Sequence, residues 1–205
     1  MIHNLKLDEA TKKIIKHNKA KFINGKKESN STNVVLFEFN EFHSSHIAYS
    51  YLAYILSNLH DARIVAYQAV LFSTWKTRII EYIAPLIYLL RYSIYRSFGV
   101  REFITPNLTR EQSRKSKSIY NDIIGSLSSK SDIESITIND VWVGDLIYDS
   151  YLNVSRKPTI DKNAKDFQKS LRYAINLFVF WEDYFLQYNV KSINILGVNC
   201  AKFSI

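Results

Sequence analysis

The chain has 205 residues, of which 47% are hydrophobic, 22% charged and 14% aromatic, and these proportions are typical of a globular protein and exclude a disordered one. A single cysteine excludes an internal disulfide, and no run of about 18 uncharged apolar residues predicts a transmembrane helix. The net charge of +8 can attract nucleic acid, an anionic membrane or anionic small molecules, and does not choose among them.

Residues 1–30 form a Lys-rich lead-in, with eight lysines against three acids and one short helix predicted at about 8–21. The segment lacks the apolar core and cleavage site of a secretory signal, and the single cysteine favours a reducing compartment. We therefore expect a cytoplasmic protein, with a peripheral place on the inner membrane as the alternative.

A strand, a helix and a second strand are predicted next. The runs "VVLFEFN" (34–40) and "ARIVAYQAV" (62–70) are rich in β-branched and aromatic residues and predict buried strands. Between them, apolar residues recur at helical spacing from Ile47 to Leu59. This order is typical of a parallel sheet, and we predict a single Rossmann-like, three-layer α/β domain over 31–205, with a mainly parallel sheet and long helices.

The middle of the chain predicts helices. A long helix from about Lys76 to Phe98, kinked at Pro85, is either a core helix with snorkelling arginines or a membrane-surface helix. Residues 109–128 predict an exposed basic helix with Thr109 as its N-cap. We interpret residues from about 75 to 130 as a helical insertion into the domain.

The last third of the chain predicts a short strand at 134–140, a long helix at 162–188 and a strand at 190–198. Between the first two lies "VWVGDLIYDSYLN", which starts like a buried strand at Val141 and changes character at Gly144. Two carboxylates and two phenols then stand in an apolar run, which is unusual for a core segment.

The loop after the first strand is the first candidate site. Ligands of parallel α/β sheets bind at the carboxyl ends of strands, near helix N-termini. This loop has no G-x-G-x-x-G fingerprint, and no Cys/His cluster completes a metal site with its two histidines. We predict that its polar residues contact substrate, the alternative being that His46 caps the helix. The residues concerned are Glu38, Asn40, Glu41, His43, Ser45 and His46.

The turn at Gly144 is the second candidate site. Gly144 lets the backbone pass from strand to helix, and Asp145 then lies at a helix start, where a carboxylate accepts amide hydrogen bonds. Asp149 lies four residues on, and Tyr148 and Tyr151 are neighbours three apart. Such a face can bind sugar hydroxyls or supply a general base. The alternative is a capping Asp145 with the tyrosines packed on the sheet.

Other chemistries lack their signatures. No nucleic-acid-binding module, G-x-S-x-G elbow or P-loop occurs, so we expect no nucleic acid as partner and neither serine-hydrolase nor Walker-type NTPase activity.

The segments "VVLFEFNEFHSSHIAYSYLAYIL" (34–56) and "VWVGDLIYDSYLNVSRKPTID" (141–161) resemble bacterial glycosyltransferase-like proteins of capsule and surface-polysaccharide biosynthesis. The resemblance covers 33–70 and 138–196. It implies the acceptor-side, N-terminal half of a two-domain GT-B enzyme that transfers a sugar from a nucleotide-sugar donor to a glycan or lipid-linked acceptor. It also implies Asp145 or His46 as the base, with no metal and no tightly bound cofactor. The implied substrate-binding residues are Glu38, Asn40, Glu41, His43, Ser45, Gly144, Tyr148 and Asp149.

The sequence stops where such a relative would continue into a second domain, and its 205 residues suffice for one Rossmann-like half. The donor site is therefore expected to need a second domain or a partner chain. A truncated or split gene product, an acceptor-side module and an inactive remnant stay open as alternatives. So does a non-catalytic binding or scaffold module held on an anionic membrane surface.

Overall fold

A computed structural model describes residues 9–23, 32–39, 43–67, 89–156 and 159–195. The chain divides into two compact units, the first formed by Met1–Thr105 with Phe185–Leu196 and the second by Pro106–Tyr184 with Gly197–Ile205. The interpretation of 31–205 as one domain, with 1–30 as a lead-in and about 75–130 as an insertion, stays a prediction.

The helices and strands alternate along much of the chain. In order, those described are α1 (Glu9–Asn18), a π-helical turn (Lys19–Ile23), β1 (Asn33–Glu38), α2 (His43–Leu59), β2 (Arg63–Tyr67), α3 (Leu89–Ser97), β3 (Glu102–Ile104), α4 (Arg110–Ser126), α5 (Lys130–Glu134), β4 (Thr137–Ile138), β5 (Val141–Trp142), α6 (Gly144–Ser155), α7 (Lys165–Gln187) and β6 (Asn189–Asn194). None of the helices in this part of the chain is long and apolar enough to cross a membrane.

Four parallel strands form the sheet of the first unit, in the order β3–β2–β1–β6. β1 pairs in parallel with β2 on one side and with β6 on the other, and β2 pairs with β3. The predicted α/β class and parallel sheet are therefore confirmed. With β6 in the place of a fourth strand, the order corresponds to 3-2-1-4, which is consistent with a Rossmann-like fold.

Both faces of the central strands are buried. Val35 and Phe37 of β1 belong to a core cluster that also includes Tyr49 of α2 and Tyr95 of α3. Their neighbours Val34 and Leu36, which point to the opposite face, have 0% exposure. Burial on both faces explains why β1 is apolar at consecutive positions instead of alternating positions.

The Lys-rich lead-in contributes to the same core. Phe22 of the π-helical turn is buried in the cluster, and the Asn18 side-chain amide donates a hydrogen bond of 3.0 Å to the buried Ser97 hydroxyl of α3. The short helix predicted at about 8–21 is thus confirmed over Glu9–Asn18. Of the long helix predicted from Lys76 to Phe98, residues 89–98 lie within the described part, where Leu89–Ser97 is helical and Ile94 and Tyr95 are core residues.

The second unit is mainly helical and has its own core, in which α7 supplies the residues of lowest exposure: Phe167, Leu171, Ile175 and Val179. Its helix α4 confirms the predicted basic helix. Thr109 is the N-cap, and its hydroxyl and the Gln112 side chain each bind the other residue's backbone amide.

The only β-structure described in the second unit is a hairpin whose two strands have two residues each. It shows that one prediction is wrong. The strand expected to be buried at Val141 pairs only with β4, and Val141 and Trp142 are 50% and 60% exposed. Asn139 and Asp140 form the turn, both with positive φ, as a tight two-residue hairpin turn requires. Ile138 of β4 is a core residue with 3% exposure, so only β5 turns its apolar side chains to solvent.

Candidate functional site

The carboxyl ends of the strands lie side by side at one edge of the parallel sheet. Glu38 ends β1 and is in register with Tyr67, which ends β2, and Tyr67 is in register with Ile104, which ends β3. Across the other side of β1, Asn194 at the end of β6 is in register with Phe37. Parallel sheets bind ligands outside the carboxyl ends of their strands, so this edge is the candidate site.

The strand order also marks where along this edge a ligand would bind. From β1 the chain continues to β2 and β3 on one side, whereas the much later β6 pairs on the other side. The point where the strand order reverses along a parallel sheet is a topological switch point, and ligands bind in the crevice there. The switch point lies between β1 and β6, and it brings Glu38 and Asn194 to the same part of the edge.

Glu38 is a buried carboxylic residue, with 2% exposure. Its backbone carbonyl accepts a hydrogen bond of 2.7 Å from the Tyr95 phenol, and the next amide, of Phe39, donates to the Tyr67 carbonyl at 2.8 Å. The backbone at the end of β1 is therefore fixed from two sides. The Glu38 side chain is thus buried beside the end of the strand, where its place is set by the fixed backbone.

Tyr67 is the residue of β2 that is in register with Glu38. Burial of the phenol, and after it the negative charge of Glu38, raise the pKa of Tyr67 far above its ordinary value. Tyr67 is therefore a neutral hydroxyl over the whole physiological pH range, able both to donate and to accept a hydrogen bond.

Asn194 adds an amide to the same edge. Its Nδ2 donates to the Leu36 carbonyl at 3.1 Å and to the Ser192 hydroxyl at 3.2 Å. These bonds fix the orientation of the side chain and leave the amide oxygen as a further acceptor site on this half-buried residue.

The amino edge of the sheet has the opposite character, because its polar residues bind one another. Arg63 at the start of β2 forms an ion pair of 2.5 Å with Glu102 at the start of β3, and its guanidinium lies 4.7 Å from the centre of the Tyr188 ring. Asn189 at the start of β6 donates to the Asn33 side chain at 2.8 Å. This edge is stabilised by its own contacts, which is typical of a structural role.

The loop residues predicted to contact substrate are only partly described. Helix α2 begins at His43, five residues after Glu38, so a helix N-terminus does follow the end of β1. His43, Ser45 and His46 lie in its first turn, and their side chains are outside the described part of the structure. Asn40 and Glu41 lie outside the described residues altogether. Their roles stay predictions.

Gly144 begins α6 as predicted, and the structure gives it a packing reason. A Cβ at this position would lie 2.3 Å from the Ile133 carbonyl oxygen and 2.4 Å from that of Glu134. The Val143 and Gly144 amides each donate to the Ile136 carbonyl at 3.0 Å. Gly144 is thus required for the close approach of the α6 start to the preceding backbone, and its role in substrate binding stays a prediction.

The acids and phenols of α6 lie in different environments. The Asp145 carboxylate accepts a hydrogen bond of 2.7 Å from the Leu146 amide, which confirms its predicted place at a helix start, although the N-cap is Val143. Asp149 is exposed, whereas Tyr148 and Tyr151 are core residues. The tyrosines therefore do not join the acids in one polar face, because the second unit needs their rings for its core.

The two groups of site residues predicted from the sequence belong to different units. Glu38 and the start of α2 lie in the first unit, and Asp145, Tyr148 and Asp149 lie in the second. That both sets line one cleft stays a prediction. Sequence reasoning missed Tyr67 and Asn194, because the strands predicted at 62–70 and 190–198 continue past the residues at which β2 and β6 end.

An open groove of about 810 Å³ lies beside β6 in the first unit, lined by Thr32 and by 185–193. Its lining contains hydroxyl, amide, apolar and lysine side chains but no acid and no histidine. It therefore offers no residue that could act as a general base at neutral pH, and it is a weaker candidate than the carboxyl edge.

Neither a metal centre nor a relative identifies the ligand. Among the residues described, no group of three or more His, Cys, Asp or Glu side chains is placed to hold a metal ion. No protein-family model matches the chain, and no curated protein or solved structure is significantly similar to it.

Proposed function

We propose that this chain is the acceptor-side, Rossmann-like half of a GT-B-type glycosyltransferase of bacterial surface-polysaccharide biosynthesis. The observation that carries the proposal is the switch point between β1 and β6, with Glu38, Tyr67 and Asn194 at the carboxyl edge of a parallel sheet. The sheet supports a ligand site at this edge, and the motifs at 34–56 and 141–161 support a carbohydrate as its ligand.

The proposed reaction is a group transfer. The oxygen of an acceptor hydroxyl bonds to the anomeric carbon of the donor sugar, and the bond from that carbon to the nucleoside diphosphate breaks. The nucleoside diphosphate leaves with the electron pair, and a base on the protein takes the hydroxyl proton. A second domain or a partner chain supplies the donor site in this proposal.

His46 and Asp145 are the two proposed bases. His46 follows the end of β1 within the first turn of α2, and an imidazole titrates near neutral pH. Asp145 lies in the first turn of α6, where its carboxylate accepts a hydrogen bond from the Leu146 amide. The sheet edge favours His46, because α2 follows directly from the switch point.

Glu38 is proposed as a positioning residue. At 2% exposure its carboxylate lies beneath the surface of the edge, where its charge orients the hydroxyl and amide donors that would contact the acceptor sugar. A positioning carboxylate affects glycan binding in a protein that stays folded, whereas a purely structural carboxylate affects binding only through the stability of the fold. The neutral, isosteric variant Glu38→Gln distinguishes the two roles.

The test is glycan binding by the purified full chain. An array of bacterial surface glycans identifies an oligosaccharide, and calorimetry then measures its dissociation constant with the wild type, Glu38→Gln, and the amino-edge control Glu102→Gln. A hydrogen bond to a charged group contributes about 1.5–3 kcal/mol, so Glu38→Gln should bind at least about tenfold more weakly.

The melting temperature completes the test. Glu38→Gln should keep a cooperative melting transition, so that its loss of binding is not a loss of fold, and Glu102→Gln should bind like the wild type. The proposal is wrong if no glycan binds, if Glu38→Gln binds as tightly as the wild type, or if it loses binding only together with its fold.

A further inference from the structure

Helix α2 exposes an apolar face. Its 17 residues include no Asp, Glu, Lys or Arg, and six large apolar side chains are between 40% and 71% exposed. A surface helix normally carries charged residues opposite its buried stripe, and α2 lacks them. The exposed residues, which we call the α2 apolar face, are Ile47, Tyr51, Leu52, Tyr54, Ile55 and Leu59.

A cationic segment adjoins this helix in the same unit. Residues 9–23, which form α1 and the π-helical turn, contain five lysines and one acid, Glu9, which is ion-paired with Lys12 at 2.7 Å. Every one of these lysines is exposed, since the buried side of α1 is formed by other residues. The lysines are Lys12, Lys13, Lys16, Lys19 and Lys21.

Phe22 joins the cationic segment to the α2 apolar face. Its ring centre lies 5.4 Å from that of Tyr51 and 5.1 Å from that of Tyr54, and both tyrosines belong to the apolar face. Lys21 is the residue next to Phe22, so positive charge and apolar surface follow one another without an intervening acid. Tyrosine side chains, with an apolar ring and a polar tip, suit a boundary between hydrocarbon and water.

We propose that the α2 apolar face and the lysines of residues 12–21 together dock the protein on an anionic lipid bilayer. Apolar side chains that enter the acyl boundary, flanked by lysines that attract anionic headgroups, are the two components of peripheral membrane binding. The proposal uses a different surface from the 76–98 segment predicted from the sequence, and it does not depend on the proposed function.

The charges favour lipid over a protein partner. Lysine is depleted in protein–protein interfaces, whereas juxtamembrane lysines strengthen binding to anionic lipid. A second copy of this chain would bring an identical lysine cluster close to the first one, and like charges repel each other. A bilayer offers apolar area and negative charge over the same continuous surface.

The experiment measures binding of the full chain to vesicles of phosphatidylcholine, with and without phosphatidylserine. We expect binding to the anionic vesicles that weakens with added salt, because surface charge interactions are screened. Each lysine contributes about fivefold to the partition coefficient, so a triple lysine variant should bind roughly a hundredfold more weakly. The variant is Lys13→Gln/Lys16→Gln/Lys21→Gln.

A second variant removes apolar area and keeps all charges. Ile55→Asn/Leu59→Asn changes two exposed residues and should weaken vesicle binding about tenfold or more without changing the melting temperature. Matched controls make the same kinds of change elsewhere and should bind like the wild type. These controls are Arg110→Gln/Arg114→Gln/Lys117→Gln and Leu146→Asn/Leu186→Asn.

The alternatives give different results. Equal binding to neutral and anionic vesicles would contradict the proposal. So would an equal loss of vesicle binding in the test variants and the control variants. If the protein ignores vesicles and instead forms dimers that the Ile55→Asn/Leu59→Asn variant abolishes, the apolar face binds a second copy and the proposal is wrong. The effect of Glu38→Gln on glycan binding is measured without lipid, so either proposal can fail alone.

Discussion

The substitution Gly144→Ala tests the packing of the second unit most sharply. The added Cβ would lie 2.3 Å from the Ile133 carbonyl oxygen and 2.4 Å from the Glu134 carbonyl oxygen, where contacts below 3.0 Å are essentially never seen. Both obstacles are backbone atoms of α5 and cannot rotate away as a side chain could. The start of α6 must therefore move by about 0.7 Å or more.

The expected cost follows from two contributions. Overpacking of this kind costs about 1–3 kcal/mol, and the displaced helix start would also weaken the two amide hydrogen bonds to the Ile136 carbonyl, at about 1 kcal/mol each. Gly144→Ala should therefore lower the free energy of unfolding by about 3–5 kcal/mol.

Gly125→Ala is a control for which the expected change in the free energy of unfolding has the opposite sign. Gly125 lies near the end of α4, and a Cβ there meets nothing within 4 Å. Alanine favours the helix over glycine by about 0.5–1 kcal/mol, so this variant should be slightly more stable than the wild type. The two variants make the same chemical change in two helices of one unit.

Urea unfolding followed by far-ultraviolet circular dichroism measures both free energies, and a thermal scan adds the melting temperatures. At about 2–4 °C per kcal/mol for a chain of this size, Gly144→Ala should melt at least about 6 °C below the wild type. A Gly144→Ala protein within about 1 kcal/mol of the wild type would refute the close approach of α6 to the α5 carbonyls.

Two further predictions concern hydrogen bonds. Tyr95→Phe should lower the free energy of unfolding by about 1–1.5 kcal/mol in urea titrations, because it removes the buried bond to the Glu38 carbonyl; an unchanged value would contradict that bond. Burial alone would raise the pKa of Glu182. Hydrogen bonds from Asn139 and Lys115 outweigh burial, so the pKa of Glu182 lies below its ordinary value. Glu182 therefore stabilises the fold above its unfolded pKa of 4.5 and loses this effect as the pH falls through its lower folded pKa. Glu182→Gln should cost about 1 kcal/mol at neutral pH, since solvent screens the partly exposed Lys115, and a cost that persists well below pH 4.5 would contradict the ion pair.

The long periodic elements could be predicted from the sequence. Helix α7 and strands β1 and β2 follow the expected periods, because each buries enough apolar area to impose that period on its residues. Helix α4 was found from its cap and its basic face, and the apolar residues that predicted α2 form its exposed face. Strand β3 was missed, since three residues are too few to show a period. The exposed hairpin was misread as buried at Val141, although the adjacent Asn139 and Asp140 tolerate positive φ and could have indicated the turn.

The site could be predicted only in part, because it is formed by residues that lie far apart in the sequence. Glu38 was found because β1 ends close to its predicted position, whereas β2 and β6 were extended past Tyr67 and Asn194, which hid those residues inside strands. The pairing of β6 with β1 joins residues 156 positions apart, as in the Asn33–Asn189 hydrogen bond. Local periodicity carries no information about such a pairing, so the switch point emerges only from the fold.

The most direct test of the central claim is an amide chemical-shift map of the isotope-labelled chain, titrated with the oligosaccharide selected on the glycan array. A ligand at the switch point should produce its largest shifts at Glu38, Phe39, Tyr67 and Asn194. Largest shifts in the groove formed by residues 185–193 beside β6, or confined to the second unit, would contradict a ligand site at the carboxyl edge of the sheet.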